Sequence, residues 1–173
     1  MGLLDDIDDD ALSANSAVLR RTIPGYDYRS RDAWSETDRT LREKLERDLG
    51  AARGVLKDAS DACYDDDRRD DVAAIGDLTD DVETFARRVE NAGGDGGGLR
   101  EFSADEESDL VAVVEHDATL VEDGEDLVTR AEKVRAAART GAPITDELHA
   151  CRSLFEDVER AFDRRQDYLH GLK

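Results

Sequence analysis

The sequence predicts an all-α protein: an elongated antiparallel bundle of four long helices plus an N-terminal amphipathic helix. Three observations carry that prediction. Apolar residues recur at three- and four-residue steps through most of the 173-residue chain. Neither Asn-Gly hairpin signals nor β-branched alternation interrupt them. The only two prolines, Pro24 and Pro143, fall between the periodic segments.

The first segment, about residues 3–21, places Leu4, Ile7, Ala11, Ala14 and Val18 on a narrow stripe. Five Asp (5, 6, 8, 9 and 10) open it and Arg20–Arg21 close it, both favourable to the helix dipole. Thr22-Ile23-Pro24-Gly25 stops it. A second helix is expected from Ser35, which with Asp38 resembles a capping box with Asp in place of Glu. Its stripe runs Leu41, Leu45, Leu49, Ala52, Leu56, Ala59, Cys63. The seam then meets Asp66 and Asp70, so a turn is expected within Tyr64–Asp67, the alternative being one very long helix running to about 92. The third helix, about 68–92, aligns Val72, Ile75, Leu78, Val82, Phe85, Val89 and Ala92. A Gly-rich linker follows at 93–98.

The fourth helix is expected to open with the capping box Ser103–Glu106, with Phe102 as a staple. Two positions on its long stripe stand out. Asp117 falls where an apolar residue belongs, and Gly124 marks a candidate kink near 122–126. The fifth helix starts at Thr145, after Gly141-Ala142-Pro143, and runs Leu148, Cys151, Phe155, Val158, Phe162, Leu169 and Leu172. Leu154, Ala161 and Tyr168 widen its buried face, which implies more than one packing neighbour. The organisation is therefore an amphipathic helix at 1–22, an aromatic and Arg-bearing linker at 23–34, and a bundle at 35–173. The first helix either docks on that bundle or projects from it.

Composition sets the medium. Against 29 Asp and 15 Glu stand 20 Arg and only 4 Lys, a net charge of -20. Charge this dense repels itself at low ionic strength, and molar salt shortens the Debye length to about 3 Å. An Asp-rich, Lys-poor surface is similar to that of cytoplasmic proteins from salt-accumulating extreme halophiles. That resemblance implies where the chain works. The start Met-Gly-Leu-Leu-Asp-Asp lacks the basic and apolar regions of a secretory signal, so the cytoplasm is the expected location. Met1-Gly2-Leu3-Leu4 on an amphipathic helix resembles helical-hairpin stress proteins of the phage-shock type, which implies a membrane-surface role. The five early Asp oppose binding to anionic lipid.

Chemistry-bearing residues are few. Cys63 and Cys151 have no metal-ligand spacing and read as small buried apolar residues. Asp146–His149 and Asp167–His170 have the i, i+3 spacing of di-iron bundles but share one helix, about 31 Å apart at 1.5 Å per residue. Clusters such as Asp65-Asp66-Asp67 lack a calcium-loop pattern and read as solvated surface. No P-loop, dinucleotide, nucleophile-elbow or zinc-protease motif occurs. No catalytic residue, metal or cofactor is expected. His116-Asp117 is the remaining candidate: either the helix rotates slightly there or Asp117 pairs with an Arg of a neighbouring helix, and the rival reading is a functional buried carboxylate.

One segment departs from the acid background. Residues 20–57 hold 10 bases and 7 acids, net +3, which leaves -23 for the rest. Within it Tyr26, Tyr28, Arg29, Arg31 and Trp34 interleave aromatics with Arg. Such a loop either wraps the bundle end, with Trp34 capping the core, or anchors a protein partner. Nucleic acid is the weakest reading, because salt erodes phosphate contacts and the chain repels a polyanion. The function expected is a non-enzymatic interaction or scaffold protein that joins a protein partner or a second copy. The alternatives are a metal-dependent or acid-cluster helical regulator or enzyme, and a membrane-surface helical protein.

Overall fold

The computed structural model describes residues 10–26, 31–93 and 107–170. They form α1 (Asp10–Thr22), α2 (Arg31–Asp65), α3 (Arg69–Asn91), α4 (Glu107–Arg139) and α5 (Thr145–His170). The all-α bundle is present, and α1 docks on it by packing against α4. The 3–9 part of the first stripe, most of the Gly-rich linker and the expected Ser103–Glu106 cap lie outside the described residues.

Two hairpins make the bundle. Within α2–α3, Arg53 pairs with Glu83 at 2.6 Å, and within α4–α5, Arg165 pairs with Asp117, both in antiparallel register. The hairpins then lie side by side, first helix beside first and second beside second. On α2 and α4, Lys44 meets Glu125 at 3.1 Å and Asp58 meets Arg135 at 3.4 Å. Both numbers rise together, so these helices are parallel. On α3 and α5, Asp81 meets Arg152 at 3.0 Å and Arg88 meets Asp163 at 3.2 Å, again parallel. The antiparallel expectation thus holds inside each hairpin and gives way to parallel neighbours between them. Both hairpin turns share one end, where Arg68 Nη2 donates to the Ala142 carbonyl at 2.8 Å.

The core is one continuous seam of Leu, Val, Ala and a few Phe. α3 and α5 stand apart by the width of rings: Phe85 meets Phe155 and Phe162 edge-to-face, with centroids 5.8 and 5.6 Å away. α4 is central, touching α1, α2 and α5. That explains its broad burial, with Val113, Val114, Asp117, Ala118, Leu120 and Val121 all inside.

α2 begins at Arg31, one turn before the expected Ser35, so residues 31–34 belong to the bundle rather than the linker. Trp34, Thr37 and Asp38 are buried and continue the Leu41–Leu45 stripe backwards, while Ser35 is exposed. Packing of that extra turn accounts for the earlier start. Nor does α4 break at Gly124. A Cβ there would lie 3.0 Å from Asp48 Oδ2 and 3.6 Å from Leu45 Cδ1. The glycine lets α2 approach, at the expense of helix propensity.

The turn at 64–67 exists without Gly or Pro. Asp67 takes φ 58°, while Arg68 N–H reaches the Cys63 carbonyl at 2.9 Å and Asp67 N–H that of Tyr64 at 3.0 Å. This is a Schellman ending with Asp in the left-handed position. α4 ends the same way with Gly141 at φ 69°. Asp67→Gly is expected to stabilise the protein by about 0.5–1 kcal/mol, and Gly141→Ala to cost about 1 kcal/mol. Denaturant titrations in concentrated KCl check both. An Asp67→Gly variant no more stable than the parent contradicts the strain argument.

Candidate functional site

The end of the bundle away from the hairpin turns gathers the aromatic segment and the odd stripe residues. After α1, Ile23 and Tyr26 are buried with Leu19 of that helix, and Trp34 on the first turn of α2 is 3% exposed. These rings close the bundle end, as the capping reading expects of Trp34. Tyr28 and Arg29 lie outside the described residues, and Arg31 is the first residue of α2. The structure therefore commits two of the five candidate residues to the core.

Tyr26 OH donates to Asp117 Oδ2 at 2.9 Å. The other Asp117 oxygen accepts from Arg165 Nε. Arg165 Nη1 donates to Asp38 Oδ1 at 2.7 Å, and Arg42 Nε donates to Asp38 Oδ2 at 2.9 Å. Five side chains thus link the segment after α1 with α2, α4 and α5. Asp117 and Arg165 are completely buried. Burial pushes the Asp38 carboxyl up, but the Arg165 and Arg42 guanidinium groups outweigh it and hold it below its ordinary value. Two carboxylates face two guanidinium groups, so the set balances its own charge. A carboxylate held this way is a weak base, and it holds helices in register.

The expected partner for Asp117 is thus an Arg of a neighbouring helix. Asp38 and Arg165 were legible only in part. Arg165 sits midway between Phe162 and Leu169, and Asp38 between Trp34 and Leu41. Each charge interrupts a buried stripe, and that was the available signal. The capping pattern at Ser35 concealed it for Asp38.

His116 lies half-buried beside this set, with its ring 5.8 Å from that of Tyr168. Burial first, then the Arg164 charge, lowers its pKa. The ring is thereby biased toward its neutral form. Cys63 and Cys151 are free and buried on separate helices. Burial pushes the Cys151 thiol up to about 11, so it is no nucleophile near neutrality. Among the described residues, no group of three or more His, Cys, Asp or Glu is placed to hold a metal ion. No described helix is long and apolar enough to cross a membrane.

No protein-family model matches the chain, and no curated protein or solved structure matches it.

Proposed function

We propose that this chain is a non-enzymatic helical-bundle interaction protein of a salt-adapted cytoplasm. One observation carries the reading: in an acid chain, the open face of α2 is charge-balanced, its exposed bases matched by Glu36, Glu43, Asp58 and Asp61. Arg39, Arg47, Arg53 and Lys57 are all exposed along α2. Arg39 pairs with Glu36 and Arg53 with Glu83, whereas among the described residues no ion pair joins Arg47 or Lys57. A partner with carboxylates on its surface meets least repulsion on this face. At molar salt only pairs in contact escape screening, so the face favours a close-fitting protein surface over a distant polyanion. The buried Asp117–Arg165–Asp38 set supports the same reading, since it fixes one arrangement of the rods and presents that face in one form.

The test is light scattering after size exclusion in molar KCl, with affinity capture from native high-salt lysate. The parent chain is expected to form a defined assembly that Arg47→Glu with Lys57→Glu abolishes. A strict monomer with no captured protein ends the proposal. The medium has its own test. Raising KCl from about 0.1 to about 1 M shortens the Debye length from ~10 to ~3 Å and should raise the melting temperature by about 10 °C or more. A flat response contradicts salt adaptation.

A further inference from the structure

A cleft of about 350 Å³ runs along the outer side of the α4–α5 hairpin, apart from the α2 face and the buried set. The antiparallel register of the two helices builds it in three levels. His116 on α4 lies level with Arg164 on α5, Thr119 with Ala161, and Asp123 with Asp157. Thr119 and Ala161 keep the middle of the hollow shallow-walled, while Leu154 and Arg160 complete its lining on α5. One end is then basic and the other acidic. Seven residues separate the ends on each helix, about 10 Å at 1.5 Å per residue.

The charges at the two ends are not equally answered by the protein. Arg160 pairs with Asp157 at 2.5 Å. Among the described residues, no ion pair reaches Asp123 or Arg164. Asp123 is surrounded by its own sign: burial raises its pKa, and so do Asp157, Asp126 and Glu122, with no cation among the causes. His116 at the opposite end feels Arg164 first, then the opposing Asp117 and Glu115, and last Arg165. An unanswered carboxylate and an unanswered guanidinium thus face one hollow from opposite ends. A ligand carrying both complementary charges relieves both at once, and one carrying a single charge relieves half.

We propose that the α4–α5 cleft binds a small aliphatic molecule with a carboxylate at one end and an ammonium group at the other. The carboxylate lies at the Arg164–His116 end and the ammonium at the Asp123 end, with the methylene chain over Ala161 and Thr119. Subtracting a hydrogen-bond length at each end from the ~10 Å span leaves about 5 Å between the ligand's charged groups. An ω-amino acid with three or four methylenes has that length.

The test is a titration of the intact chain with γ-aminobutyrate, followed by amide and imidazole NMR shifts, at the lowest KCl that preserves the helical circular dichroism. Butyrate and butylammonium are the one-charge controls. Saturable shifts at His116, Thr119 and Ala161 are expected with γ-aminobutyrate and not with either control. Asp123→Asn and Arg164→Gln each remove one exposed ion pair and should weaken binding by roughly two- to fivefold, with circular dichroism unchanged. Absence of saturable shifts, equal shifts with a control, or either variant binding like the parent overturns the proposal. The α2 partner surface is untouched by these outcomes.

Discussion

Replacing Arg165 with Met is expected to destabilise the protein by about 3–5 kcal/mol, because it strands buried charge. Domains of this size have roughly 5–15 kcal/mol in total, so much of the stability disappears. The cost comes from what remains behind. Asp117, 0% exposed, keeps Tyr26 and loses its guanidinium, while Asp38 keeps Arg42 and loses its inner partner. A packing account predicts otherwise, since Met fills nearly the same volume as the aliphatic part of Arg.

Two measurements separate the accounts. Asp38→Leu with Arg42→Leu, Arg165→Met and Asp117→Leu removes the four charges together, and its stability should fall within about 2 kcal/mol of the parent. The second measurement is pH. In the parent, the folded pKa of Asp38 lies below its unfolded value. Its contribution is therefore complete above the ordinary carboxylate range and is lost as pH falls through the folded pKa. In Arg165→Met the sign reverses, because a buried carboxylate without its cation is relieved by a proton. The stability gap between parent and variant should narrow from pH 7.5 to pH 4.5 in the same KCl. A gap that is constant with pH would sink the ionic explanation and leave packing.

Phe85→Ala should cost about 3–5 kcal/mol, the range for deleting a buried ring. Its position makes the upper part of that range the expectation. Phe85 spans the α3–α5 seam to both Phe155 and Phe162. Arg88 also lies over the Phe85 ring, 4.8 Å from its centroid, while pairing with Glu159 and Asp163 across the same seam. Losing the ring removes packing and the support of those pairs together. Phe85→Leu should cost less, about 1–2 kcal/mol, because most of the volume remains. Tyr64 is the contrast: at 71% exposed, its change to Ser should fall within about 0.5 kcal/mol. Urea titrations in concentrated KCl measure all three. Equal effects at Phe85 and Tyr64 would show that the seam is not as described.

The candidate site divides between legible and hidden parts along the same physical line. Asp117 was legible because one helix stripe of Val and Leu makes a charge conspicuous. Trp34 was legible as a cap because a lone large ring beside a thin core has few other places to go. Arg165 was legible only in part, because a stripe with an Arg at one position looks locally like a stripe with a gap. The α4–α5 cleft was hidden. Its levels exist only after the register of two helices is known, and register is a relation between segments.

Periodicity, turn residues and charge placement in the sequence determined that this chain is helical, where each hairpin turns and which stripe each helix buries. Those are local properties, set within one or two turns of backbone. The tertiary structure alone decided that α2 lies parallel to α4, that Asp38 faces Arg165 and that α1 covers α4. Stripes of Leu, Val and Ala are nearly interchangeable as partners, so side-by-side order depends on rarer features. Here those are a glycine that permits close approach, rings that demand width, and opposite charges that must meet once buried.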